Sequence, residues 1–200
     1  RLMSNIVLKG STSGDVTISV PAEAGSNTLT IPASTGTMLT TVNPKAGNII
    51  QVVSTTKTDV FSSSTVDTFV DITGLSVAIT PSATSSKILI LYDIQMSGTE
   101  LMHIQLFRAS TAIKIGDSDS ANRTECTVGG IFQASNNDKV AVAAGTFLDS
   151  PSTTSATTYK LQGRVHSSGK VFKVNAPVND ANAAYTGRGA STITVMEVAG

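Results

Sequence analysis

Apolar and polar residues alternate along most of this chain with a period of two, as expected of strands that bury one face. Val16, Ile18 and Val20 alternate with Thr17 and Ser19, and Leu75, Val77 and Ile79 alternate with Ser76 and Ala78. Between Lys87 and Met96, one face carries Ile88, Ile90, Tyr92, Ile94 and Met96. The other face begins with Leu89 and Leu91 and ends in Asp93 and Gln95. That strand is expected to be buried on both sides at its start and wet on one side at its end. Further strands are predicted over 49–58, 103–108, 112–115, 126–134, 139–143, 159–166, 171–175 and 191–198. In the run 159–166, Tyr159, Leu161 and Val165 face away from Lys160, Gln162, Arg164 and His166. Turn chemistry at Pro81-Ser82, Ser97-Gly98, Asn136-Asn137-Asp138 and Ser168-Gly169 separates these runs. No stretch sustains a capped apolar pattern of helical period over three turns. Many short strands without intervening helices predict an all-β sandwich or barrel.

The first 45 residues read differently. Pro21-Ala22-Glu23-Ala24-Gly25 recurs as Pro32-Ala33-Ser34-Thr35-Gly36, each copy following a short strand, at 16–20 and 29–31. Two copies are too few for a free-standing solenoid, and isolated short strands cannot bury their apolar side alone. Residues 1–45 are therefore expected to be an N-terminal attachment or intertwining arm, with 3–45 contacting other chains, and 46–200 to be the globular head. Asn43-Pro44-Lys45-Ala46-Gly47 is the expected joint.

Composition narrows the function. The 200 residues carry 14 Lys+Arg against 14 Asp+Glu, a net charge of zero, so the basic excess that nucleic-acid binding requires is missing. Charged residues are 14%, against about 25% in an ordinary soluble domain. Hydrophobic content of 40% without net charge argues against disorder, and no apolar run is long enough for a transmembrane helix. With six Phe, three Tyr and no Trp, the core must come mainly from Val, Ile, Leu and Ala. The single Cys126 precludes an intramolecular disulfide and reads as a small buried residue. Met3-Ser4-Asn5 reads as a translation start behind Arg1-Leu2, with no export signal, and hence as synthesis in a cytoplasm.

Several motifs approach a chemistry and stop short. His103 and His166 fall on separate strands, and no ligand spacing builds a metal site around them. Gly10-Ser11-Thr12-Ser13-Gly14 has Thr12 where a nucleophile elbow needs its serine. Ser54-Thr55-Thr56-Lys57 and Ser167-Ser168-Gly169-Lys170 match Ser-x-x-Lys, but both fall on strands or turns rather than on the helix that motif needs. Asp117-Ser118-Asp119-Ser120-Ala121-Asn122 offers alternating oxygen ligands but lacks the glycine and distal glutamate of a calcium loop. Asn122-Arg123-Thr124 is formally a glycosylation sequon. No motif pairs two carboxylates around a sugar cleft. The expectation is a non-enzyme with no cofactor and no metal. The loop from Val178 to Gly189 carries a lone Tyr185 and Arg188, residue types enriched at binding hot spots, and these two are the candidate receptor contacts.

Lys9-Gly10-Ser11-Thr12-Ser13-Gly14-Asp15-Val16-Thr17-Ile18, then Pro21-Ala22, then the stretch from Asn27 to Thr37, resembles a segment recurrent in structural proteins of tailed bacteriophages. The resemblance is to tail-fibre-like and virion-surface proteins, those of marine phages especially. It continues through the stretch from Gln51 to Thr58, Ile79-Thr80-Pro81, the stretch from Ser85 to Ile90, Phe147-Leu148-Asp149-Ser150-Pro151 and the closing stretch from Arg188 to Glu197. It implies a non-enzymatic virion component whose head is a jelly-roll-like β-sandwich of the tumour-necrosis-factor type, assembled as a homotrimer. Two roles follow from it. One is a short tail fibre or spike that attaches to a host surface glycan or protein. The other is a capsid decoration or cement protein (a head fibre) that coats or stabilises the head. Neither role involves nucleic-acid binding or membrane insertion.

Overall fold

A computed structural model describes residues 6–19, 28, 44–117, 122–131 and 137–200. The chain divides into two compact units, 1–38 and 39–200. In the first unit, β1 (Ile6–Lys9) and β2 (Asp15–Ile18) form an antiparallel hairpin. The expected strand at 29–31 and both copies of the Pro-Ala repeat lie outside the described residues.

The second unit is all-β. In chain order its strands are β3 (Ile49–Lys57), β4 (Phe61–Ser63), β5 (Val70–Ile79), β6 (Lys87–Gly98), β7 (Met102–Arg108) and β8 (Thr111–Ile113). There follow β9 (Val128–Ile131), β10 (Ala141–Asp149), β11 (Thr157–Val165), β12 (Phe172–Val174) and β13 (Ser191–Val198). One sheet runs β3–β13–β6–β10, with β4 and β12 continuing the lines of β3 and β13. The other runs β5–β11–β7, and β8 and β9 share the far edge of β7. The pairings between these strands are antiparallel, and one isolated parallel bridge joins Val66 to Val165. The two sheets make a jelly-roll-like sandwich, in which strands distant in sequence lie side by side.

The alternation in the sequence is the alternation of the sandwich. Ile88, Ile90, Ile94 and Met96 of β6 meet Leu75, Val77 and Ile79 of β5, with Leu161 of β11 and Ile104 and Leu106 of β7, in one buried cluster. Phe172 closes one end of it. Its ring stands 5.6 Å from that of Phe61 and fills the space that Gly163 leaves open on β11. A clamp of charge and hydroxyl ties the sheets together at the other side. Arg108 of β7 donates to both carboxylate oxygens of the buried Asp149 on β10, at 2.9 and 3.0 Å. The buried Tyr159 of β11 donates to the same carboxylate at 2.7 Å. Burial, and then this bond, push the Tyr159 phenol far above its ordinary range.

Several elements depart from the expectations. Strand β10 runs to Asp149 instead of ending at Ala143, because Gly145 admits the Tyr92 hydroxyl from the neighbouring strand. A β-carbon at that position would lie 2.5 Å from it. Ser97 and Gly98 are not a turn but the end of β6, paired with β12, and the Ser97 hydroxyl donates to Ala176 O. Strand β5 begins at Val70, and a bulge with Gly74 at φ 87° shifts its register so that Ile72 and Leu75 both point inward. The outward face of β6 does not grade from dry to wet: Leu89, Leu91, Asp93 and Gln95 are all half-buried.

Where β12 gives way to β13, the middle of a sheet would expose unpaired backbone. Asn175 closes that gap. At φ 65°, in the left-handed region that asparagine tolerates, it donates from its side-chain amide to Lys57 O at 2.8 Å and to Asp59 O at 3.1 Å. Its carbonyl oxygen accepts from the Ser191 hydroxyl, which in turn accepts from Gln95 N. The residue is fully buried, so every one of these bonds replaces water that cannot enter.

Candidate functional site

The hairpin of the first unit presents an apolar face. Register pairs Ile6 with Ile18 and Leu8 with Val16, which places these four aliphatic side chains together on one side. All four are exposed, between 41% for Ile18 and 63% for Val16. On the other side Val7 pairs with Thr17, and Lys9 meets Asp15 at 3.0 Å beside the turn. Gly10-Ser11-Thr12-Ser13-Gly14 is that turn, closed by Gly10 N donating to Gly14 O, with Gly14 at φ 81°. No strand-to-helix elbow exists there. Fully burying one such side chain stabilises by about 1.5–3 kcal/mol, and a lone two-stranded hairpin is marginal in water. This face therefore gains from any surface that covers it.

The loop that carries Tyr185 and Arg188 is braced rather than loose. Asn179 N donates to Asn137 O, and the Asn179 amide donates to Asp138 at 2.7 Å. The Thr186 hydroxyl donates to Ala183 O, and Lys173 Nζ donates to Val178 O. Arg188 is engaged with Asp180 through two bonds, Nε to Oδ1 at 3.0 Å and Nη2 to Oδ2 at 2.6 Å. The bond from Arg188 holds the Asp180 carboxyl below the usual range. Tyr185 is 69% exposed. The two candidate contacts thus differ: Tyr185 stands in solvent, while Arg188 has its fork occupied by Asp180.

The structure brings together what the sequence set on separate strands. His103 of β7 lies opposite Arg164 of β11, and His166 follows at the end of β11. The chain passes beside them at Asp67, whose N–H donates to Val165 O and whose backbone takes φ 52°. That turn aims the Asp67 carboxylate at His166 Nδ1, 2.8 Å away, and at Arg164 Nη2, 3.1 Å away. Arg164 is fixed from three sides, by Asp67, by Thr124 Oγ1 at 2.8 Å and by the Phe69 ring, whose centroid lies 5.6 Å from its guanidinium. Asn122 and Arg123 complete the wall, and Leu101, 42% exposed, forms the rim. The hydrogen bond from His166 is the main cause that keeps the Asp67 carboxyl low. Burial, then the charges of Arg164 and His166, lower the His103 pKa and keep it neutral near pH 7. The alternation Lys160, Gln162, Arg164, His166 is visible in the sequence, but the partnership with Asp67 and His103 depends on strand pairing and a loop.

Other candidates resolve into structure. Ser54 points outward to Thr194, at 2.7 Å, while Lys57 is buried with its ammonium on Asp59 at 2.8 Å, so this Ser-x-x-Lys pair lies on opposite faces of one strand. In the second copy, the Ser167 hydroxyl donates to Glu100. Cys126 is half-buried rather than fully buried, and burial raises its thiol pKa, away from a reactive thiolate. In the calcium-like run, residues 118–121 lie outside the described residues. Among the described residues no three His, Cys, Asp or Glu side chains group as a metal site, and no helix is long and apolar enough to cross a membrane.

No family model matches the chain, and no curated protein matches it. Among solved structures it is similar to infectious bursal disease virus, Gt strain, at 12% identity and a TM-score of 0.41, over 96% of this chain and 46% of that one. It is similar as well to T=1 particles derived from infectious bursal virus, at 12% identity and a TM-score of 0.39, over 96% and 44%. A mutant VP2 protein of the same virus aligns at 16% identity and a TM-score of 0.38, over 93% and 43%. The chain spans less than half the length of the structures it matches.

Proposed function

We propose that this chain is a non-enzymatic structural protein of a tailed-phage virion, anchored by its N-terminal arm, with the sandwich displayed outward as a homotrimer for host attachment. The resemblance of the arm and head motifs to tail-fibre-like proteins supplies the virion setting. The observation that carries the anchoring is the exposed aliphatic face of the hairpin, Ile6, Leu8, Val16 and Ile18, which gains stability when something covers it. The partner in this reading is another virion protein.

The head offers a surface for its own copies. Across the outer face of the β3–β13–β6–β10 sheet, register aligns Val52, Met196, Leu89 and Leu148 in a single apolar row over four strands. Val52 and Leu148 are 55% and 47% exposed, and Ser and Thr side chains at 54, 56, 192 and 194 flank the row without adding charge. On β6 the same face carries Lys87 and Asp93, one charge of each sign, so no net like charge there opposes an identical chain. Tyr185 and Arg188 remain the proposed receptor contacts.

Gold labelling of intact particles with an antibody against the head tests the placement. Label at the tail supports the fibre or spike. Label spread over the capsid makes the chain a decoration protein docked through the same hairpin, and unlabelled particles would remove the virion reading altogether.

A further inference from the structure

We propose that Lys87 and Asp93, near the two ends of the outer face of β6, form an ion pair between neighbouring copies of the head. The inference rests on reading that face as the contact between copies, and it supplies the polar match that the apolar row lacks.

Each of the two charges is single within its own chain. Asp93 stands half-buried between Thr192 of β13 and Ala144 of β10. With Leu91, Thr146 and Thr194 these residues line an open recess of about 460 Å³ in the sheet face. The hydroxyls beside it are turned to one another: Ser54 and Thr194 lie 2.7 Å apart, and Thr56 and Thr192 3.3 Å. Lys114 donates to the Tyr92 hydroxyl, on the opposite side of β6. Among the described residues, the Asp93 carboxylate has no hydrogen bond and no ion pair. Lys87 is exposed at the start of the same strand, and its ammonium meets no carboxylate among the described residues. Lys87, Leu89, Leu91 and Asp93 share one face by the period of two. At 3.2–3.4 Å per residue, the two charges lie about 20 Å apart along the strand and cannot reach each other.

Covering the face changes what Asp93 costs. In water its carboxylate is solvated, but closed off beside Leu91 without a cation it would weaken the contact strongly. The apolar row crosses β6 at Leu89, about 14 Å along the strand from Asp93. A standard interface of about 800 Å² per partner has a radius of about 16 Å, so a contact centred on the row reaches the recess. The matching cation on the same face of a second copy is Lys87, whereas Lys45 lies ahead of β3, off the sheet. Two unlike charges on one face suit a head-to-tail contact. Each copy gives Lys87 to one neighbour and receives the other neighbour's at Asp93, and a closed ring of three satisfies every pair. Orders that set like charges opposite each other are disfavoured.

Sedimentation of the intact chain and its variants tests the pair. Asp93→Lys and Lys87→Asp, each alone, set like charges together and should raise the dissociation constant of the oligomer at least tenfold. Both changes in one chain put unlike charges back and should return it to within a few-fold of the natural chain. Carbodiimide coupling of mixed isotope-labelled and unlabelled copies should join the Asp93 peptide of one to the Lys87 peptide of the other. Unchanged circular dichroism will show that the variants are folded. Single reversals that leave the oligomer intact overturn the pair, as does a double exchange that fails to restore it or coupling of Asp93 to a different lysine. If Val52→Lys with Leu148→Lys still dissociates the oligomer in that case, the contact stands and only the pair falls. A natural chain that sediments as a monomer removes both, and a dimer with the same coupling keeps the pair but removes the ring of three.

Discussion

At the scale of single residues, buried polar groups decide whether this fold holds. Asn175 is the clearest case, because one amide satisfies two backbone carbonyls and a hydroxyl at the break between β12 and β13. Asn175→Ala removes these bonds and puts a β-branch-free but non-glycine residue at φ 65°. The expected cost is about 3 kcal/mol or more, read as a fall in the denaturation midpoint at constant slope. Glu197 sets a pH dependence. It is fully buried on β13, and burial by itself pushes its carboxyl up. Bonds from the Ser82 hydroxyl at 2.6 Å, Ser82 N at 2.7 Å and Gln51 at 2.6 Å outweigh that and leave it below the ordinary value. A carboxyl lowered on folding adds stability that is present above its unfolded pKa, about 4.3, and lost as the pH falls through the folded value. Melting temperatures measured from pH 6 down to pH 3 should therefore drop in the natural chain. In Glu197→Gln they should start lower and drop less steeply.

At the scale of elements, the strands owe their positions to what faces them across the sandwich. Gly163 is flat against Phe172, and a β-carbon there would lie 2.7 Å from the ring. Gly163→Ala should cost about 1–3 kcal/mol by overpacking, measurable by thermal or chemical unfolding, whereas the same change at the open Gly187 should be nearly silent. The proposed anchoring makes a different prediction for the hairpin, whose apolar face is exposed. Leu8→Asp should leave the melting of the head unchanged and reduce incorporation of the chain into particles several-fold, as quantified by mass spectrometry of purified virions. Equal incorporation would mean that the hairpin is not the anchor. The pattern along the chain located β2, β3, the second half of β5, β6 to β9 and β11 to β13. It missed β1, β4 and the first half of β5, since Ile6-Val7-Leu8 is apolar without alternation, Phe61–Ser63 is too short to show a period and the Gly74 bulge breaks the alternation that follows Val70. It shortened β10 because inward Ala143 and Gly145 against outward Val142 and Leu148 invert the usual polarity.

At the scale of the whole molecule, the two outer faces of the sandwich are unlike. The β5–β11–β7 face carries Asp71, bonded to Lys160 and Gln162, with Arg164 and His166 further along, and it is at home in water. The opposite sheet presents the apolar row from Val52 to Leu148. The proposed homotrimer predicts that the intact chain sediments at three times the 20.6 kDa of one copy. Val52→Lys combined with Leu148→Lys should shift it to monomer without unfolding it. An unmodified chain that sediments as a monomer at micromolar concentration would dispose of the trimer.

The sequence by itself determined the class of the fold, since a period of two repeated without helical stretches admits only packed sheets. It determined as well which face of each long strand is buried, because a slip of one residue would send every aliphatic side chain into water. It located the Tyr185 loop, but not the pairing of Arg188 with Asp180, eight residues upstream. Only the tertiary structure decided what is brought together across sequence. The Asp67–His103–Arg164–His166 cleft unites residues from three places in the chain, and the apolar row unites one residue from each of four strands. Such groupings follow from strand order and register, which arise from long-range pairing of many weakly specific strands, and no local pattern encodes them.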